Sequence, residues 1–239
     1  MKAHPTALVD PESSVADDVA IGPFCVIGPG VRIGAGSRLG ARVTVQGSVQ
    51  IGRDTVLHAH VTLGHPKGGR IEIGDGNVFR ESSHVDAATG AATRIGSRNR
   101  LGAWAGVSSG CTVGNDVRIG AFSIVGENDI VEDDAWIEGQ CVVDANRRVG
   151  RSSLIRSQVP ISADVPPYMV VDGNPFEVQG VNPRRRNSLL DIAFEIVYKS
   201  GLSFPDAARE LIAKLGASPE VEALTEYLKT AKPPEAALE

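Results

Sequence analysis

At 239 residues, with 24 basic and 29 acidic side chains, the chain can bury a sizeable core in one or two domains and carries a mild net negative charge. That balance gives no general attraction to nucleic acid or an anionic membrane, so any anion-binding surface must be local. No stretch reaches the roughly 18 unbroken apolar residues of a membrane span, and Met1-Lys2-Ala3-His4-Pro5 has no apolar run behind it to make a secretory signal.

Residues 1–8 read as an entry segment, with Pro5 and Pro11 marking the first coil. From Val9 an aliphatic residue returns at every sixth position: Val15, Ile21, Ile27, Ile33, Leu39, Val45, Ile51, Leu57 and Leu63. The count resumes at Ile73, Phe79 and Val85, and again from Ile95 through Leu101, Val107, Val113 and their successors to Ile161. This period suits neither a helix at 3.6 nor a long strand at 2 and is the signature of a parallel β-helix. A small or β-branched residue two places earlier, as at Val19, Ser37, Thr55 and Ser123, must also point inward. Short strands with alternating faces satisfy both demands, and three hexapeptides close one triangular coil. The 27 glycines and 5% aromatic content suit such a thin core.

Cys25, Cys111 and Cys141 all fall on that inward small position, which predicts buried structural thiols in a reducing, cytoplasmic setting rather than a disulfide or a metal site.

The repeat breaks at residues 65–70 and 86–94, where glycine, proline and charge read as loops thrown out from the coil, and such insertions are where solenoids usually add function. Residues 1–172 are therefore read as the β-helix and 173–187, with Gly173-Asn174-Pro175 and Arg184-Arg185-Arg186, as a connector. Residues 188–239 are read as a helical domain. Asn187 or Ser188 caps a first helix that stops at Gly201, a second runs from about Phe204 to Leu215, and a third begins at Ser218-Pro219-Glu220. The tail after Lys229 reads as frayed. This domain covers the open end of the solenoid, whose strand edges would otherwise be exposed.

Six segments carry a closer resemblance: Ile21-Gly22-Pro23-Phe24-Cys25, Arg80-Glu81-Ser82, Cys111-Thr112-Val113-Gly114-Asn115, Asp164-Val165-Pro166-Pro167-Tyr168, Gly180-Val181-Asn182 and Tyr198-Lys199-Ser200-Gly201. With the helical tail they make the chain similar to the acyl-carrier-protein-dependent UDP-N-acetylglucosamine O-acyltransferases of lipid A synthesis. The resemblance implies a left-handed coil, against the usual right-handed crossover. It also implies a homotrimer with sites in clefts between subunits, and acyl transfer from the phosphopantetheine of acyl carrier protein to a nucleotide sugar. No other cofactor and no metal is expected.

The chain departs from this family where the chemistry should be. Ser109 stands in place of the catalytic histidine, Gly106 in place of a second, Asp86 and Asp144 in place of two more, and Glu127-Asn128 in place of a Gly-His pair. The first loop is shortened, with Lys67 the candidate for its lysine. A serine with no adjacent base is a poor proton acceptor. The catalytic candidates are Ser109 with His84 and Asp86, read as a displaced His-Asp base against the plainer reading of surface polar residues. The substrate-binding candidates are Arg80, Glu81, Ser82, Asn128, Asp144, Asn182, Arg184, Arg185 and Arg186, the arginines suiting phosphate or an acidic carrier, or else forming a solvated linker.

His60 and His65 match the His-x4-His spacing of hexapeptide carbonic anhydrases, but the upstream histidine of that zinc site is missing. Two functions follow from the whole reading. One is an acyltransferase with a different base; the other is a non-catalytic homologue that binds a nucleotide sugar, the carrier protein or a sibling enzyme.

Overall fold

The computed structural model describes residues 1–231, so residues 232–239 of the tail lie outside the described chain. The chain is a left-handed parallel β-helix of about nine turns. It lays down three sheets in rotation, here called the first, second and third faces in the order the chain meets them. Most strands are two residues long, one side chain out and one in.

Coil stacks on coil with a register of 18 residues, as Ile33 on Ile51, Leu39 on Leu57 and Val45 on Leu63. The next two turns pair residues 22 apart, Ile51 with Ile73 and Ile73 with Ile95, so each insertion is absorbed without shifting the inward ladder. The excursions are shorter than the breaks in the repeat suggest, because the longer strands Arg70–Ile73 and Ala92–Ile95 reclaim their ends. The sixth-position ladder from Ile21 to Ile161 is buried throughout, while Val9 and Val15 at the open end are partly covered. Phe79 is its one aromatic member and is fully buried.

The corners between faces hold the second inward column. Between the third and first faces it turns polar: Ser37, Thr55, Asn77 and Asn99 are all fully buried. A buried amide must find partners. Asn99 accepts the N–H of Val117 at 2.7 Å and donates to the carbonyl of Gly114 at 2.9 Å. The three thiols do the same job singly, donating to the carbonyls of Gly40, Gly126 and Arg156. Burial raises all three, Cys111 to about 11, so they are inert as nucleophiles.

The strand Met169–Asp172 extends the first face and pairs antiparallel with Glu177–Val181, so part of the expected connector is a hairpin. Its Gly173-Asn174-Pro175 sequence reads as linker but serves as the turn. Helix α1 (Ser188–Phe194) is capped by Asn187, α2 (Phe204–Leu215) by Ser203 and α3 (Pro219–Thr230) by Ser218. Between α1 and α2 the chain loosens into a π-helical turn over Glu195–Lys199. Leu190, Leu211, Leu224 and Tyr227 close over Tyr168, Met169 and Val181, forming a second core on the end of the prism. The Tyr227 hydroxyl donates to the Asp164 carbonyl at 3.3 Å, tying α3 to the last coil.

Candidate active site on the second face

The second face presents Thr62, His84, Gly106, Ile124 and Val142 outward in successive coils. His84 is the histidine of this column, and its neighbour in the next coil is Gly106. A β-carbon built on Gly106 would lie 2.5 Å from His84 Cε1 and 2.6 Å from Nε2. The imidazole of one coil therefore occupies the space that a side chain of the next would take. Gly106 is buried beneath it although its strand position faces outward.

The corner between the second and third faces carries the remaining catalytic candidates. Asp86 follows the strand His84–Val85 and accepts the N–H of Ala87 at 2.7 Å. Its nearest imidazole is that of His65, 3.8 Å away, rather than that of His84. Within one chain no hydrogen bond or ion pair joins His84 on the face to Asp86 at the corner among the described residues. Ser109 Oγ accepts the N–H of Ala88 from the second insertion at 2.7 Å, so its own O–H is left to donate. Asn128 lies one turn further on, its N–H bound to the Ser109 carbonyl at 2.9 Å. Its side chain reaches Asn146 at 3.4 Å. Asp144 stands exposed above Ser108 and Gly126 in the same column.

Arg80, Glu81 and Ser82 sit at the other edge of this face. Arg80 grips Glu81 at 3.0 and 3.3 Å, and Glu81 also meets His58 Nδ1 at 3.2 Å. The Glu81 carboxyl is held below the usual range by its own backbone N–H and by the Arg80 guanidinium. This His58-Glu81 contact was not legible from spacing, since it joins residues 23 apart across an enlarged coil.

The third group gathers at the base of the helical domain. Asn182 is buried and donates to the Ser152 carbonyl at 2.7 Å, which makes it a fixture of the connector. Arg185 is bound by Asp134 at 2.6 Å, Arg186 by Asp191 at 2.9 Å, and Arg184 lies over the Trp136 ring with its guanidinium carbon 5.1 Å from the centroid. The three arginines line one cleft with Tyr168 and Asp133, but each already has an intramolecular partner.

No cluster of three or more histidine, cysteine or carboxylate side chains suited to a metal occurs among the described residues.

The bacterial transferase hexapeptide model matches residues 12–47, 30–65 and 92–127, and the model of UDP-N-acetylglucosamine O-acyltransferase domain 2 matches residues 164–233. An acyl-[acyl-carrier-protein]–UDP-N-acetylglucosamine O-acyltransferase from Syntrophobacter fumaroxidans is 33% identical over 97% of this chain and 98% of its own. One of the same name from Halorhodospira halophila is 36% identical over 95% and 96%. The solved LpxA of Acinetobacter baumannii superposes with a TM-score of 0.90 at 28% identity, covering 96% of this chain and 97% of its own. The chain belongs to the UDP-N-acetylglucosamine O-acyltransferase family.

Proposed function

We propose that the chain transfers an acyl group from the phosphopantetheine thioester of acyl carrier protein to UDP-N-acetylglucosamine, with His84 as the base. The observation that carries this reading is the overlap of the His84 ring with the side-chain space of Gly106. An imidazole is thereby kept on the second face although the corner position holds Ser109.

In this reaction Nε2 of His84 takes the proton of the sugar hydroxyl as its oxygen attacks the thioester carbon. The new C–O bond forms, the oxyanion collapses, the C–S bond breaks, and the departing thiolate receives the proton from the imidazolium. Ser109, which accepts the Ala88 N–H on one lone pair, donates its free O–H to the oxyanion; with no adjacent base it is too weak a proton acceptor to serve as the base itself. The chain works as a homotrimer, in which exposed Asp86, Asn128 and Asp144 line a cleft closed by a second copy. Three free buried thiols and the lipid A chemistry of the family support a cytoplasmic setting. Arg184–Arg186 reach phosphate or the acidic carrier by exchanging their internal partners.

Incubation with a hydroxyacyl carrier protein and UDP-N-acetylglucosamine, read by mass spectrometry, is expected to give the acylated nucleotide sugar. The Ser109→Ala protein should lose roughly a hundredfold to a thousandfold in kcat, as expected for one oxyanion donor. Saturable UDP-N-acetylglucosamine binding with no acylated product would instead establish a binding homologue.

A further inference from the structure

Beneath the site corner lies a carboxyl group that acyl transfer does not use. Asp129 follows Asn128 and points into the prism in the column that holds Thr93 and Cys111 in the coils below, and it is fully buried. Its Oδ1 accepts the backbone N–H of Arg147 at 2.8 Å. Its Oδ2 is buried and receives no donor among the described residues.

Two asparagines elsewhere in the core show what this geometry asks of that second atom. Asn99 accepts the N–H of the residue 18 further on and turns Nδ2 to the carbonyl of the residue 15 further on. Asn77 accepts the N–H of Asn99 at 2.8 Å and gives Nδ2 to the carbonyls of Gly74 and Gly96 at 2.8 and 2.9 Å. Asp129 Oδ1 likewise takes the N–H 18 residues on, so Oδ2 stands where an amide donor stands in asparagine. By the spacing seen at Asn77 and Asn99, three residues back and fifteen on from Asp129, the carbonyls that a protonated Oδ2 would meet are those of Gly126 and Asp144. An ionised oxygen there would set a lone pair against a carbonyl oxygen; a protonated one would donate to it.

We propose that Asp129 is folded as a neutral carboxylic acid whose Oδ2–H replaces the asparagine N–H, forming a clasp under Ser109 and Asn128 that opens when the proton leaves. The charged and titratable groups around it are Arg147 in the coil above, Asp144 and Glu127 in the adjoining turns, and Cys111 in the coil below. Burial dominates over the backbone donors and over the guanidinium of Arg147, and with the Asp144 carboxylate it pushes the Asp129 acid up to about 6. The sign follows from a folded value above the ordinary 3.8. Its stabilising contribution is complete below the ordinary carboxylate range and is lost as pH rises through about 6. The clasp is a property of the folded chain, present whether or not it turns over acyl groups.

Asp129→Asn supplies the donor without a proton. Between about pH 4 and pH 8 the folding constant of the wild type should fall up to roughly a hundredfold relative to Asp129→Asn, the ratio that two pKa units represent. The infrared spectrum of the wild type should show one buried protonated carboxyl at about pH 5 that is gone by about pH 8, and this band is read without any variant. Equal stability differences at both pH values, or a wild type lacking that band at the lower pH, would overturn the clasp.

Discussion

The Asp134 carboxylate binds Arg185 through one oxygen, Oδ2, which accepts Nε at 2.8 Å and Nη2 at 2.6 Å while also taking the Ser152 hydroxyl at 2.8 Å. A single side chain of a late coil thus pins the connector that leads to the helical end. The pair is partly exposed, at 50% and 28%, which discounts its strength. Asp134→Asn is expected to cost about 1 kcal/mol in urea unfolding, and to raise the affinity of free Arg185 for an anionic ligand, read by calorimetry with UDP.

Gly106 tolerates no side chain while His84 keeps its place. The methyl group introduced by Gly106→Ala drives the ring away, since Cβ would lie 2.5 Å from it. Because the atoms that yield belong to flexible side chains, this substitution should cost no more than about 1 kcal/mol in stability. Turnover should fall by roughly a hundredfold through misplacement of the base, with kcat moving more than KM.

Core and surface aromatics should respond oppositely to truncation. Phe79 is fully buried in the ladder, and Phe79→Ala should cost about 3–5 kcal/mol by thermal or urea unfolding. Trp104 and Phe122 stack 6.5 Å apart at an outer corner with more than half of each exposed. Their alanine variants should each stay within about 1 kcal/mol of the wild type.

The polar column offers a control for the clasp. Asn99→Ala orphans the N–H of Val117 and should cost about 1–3 kcal/mol. Asn99→Asp should fold at low pH and lose stability as pH rises, reproducing in a second place the behaviour assigned to Asp129; circular dichroism melts across pH check this.

The coil was legible in the sequence because its rule is local: one inward aliphatic every sixth residue and one small residue two places before it, to which all three cysteines conform. The starts of the first and third helices were legible for the same reason, as Asn187 and Ser218 act within their own first turns. What stacking decides was not. His84 covers Gly106, and Asp129 meets Arg147, only once coils 22 and 18 residues apart are set in register. The hairpin strand Glu177–Val181 was masked by turn residues and by a weak apolar pattern. The interrupted end of the first helix, with its π turn, likewise answers to packing against α2 rather than to propensity.

The most direct test is to move the imidazole across the coil boundary. Turnover of hydroxyacyl carrier protein with UDP-N-acetylglucosamine is compared for the wild type, His84→Ala, and His84→Ala with Gly106→His. The predicted result is a loss of about a hundredfold to ten-thousandfold in the single variant and substantial recovery in the double one, since both side chains project into one space. A His84→Ala protein as active as the wild type would contradict the assignment of the base.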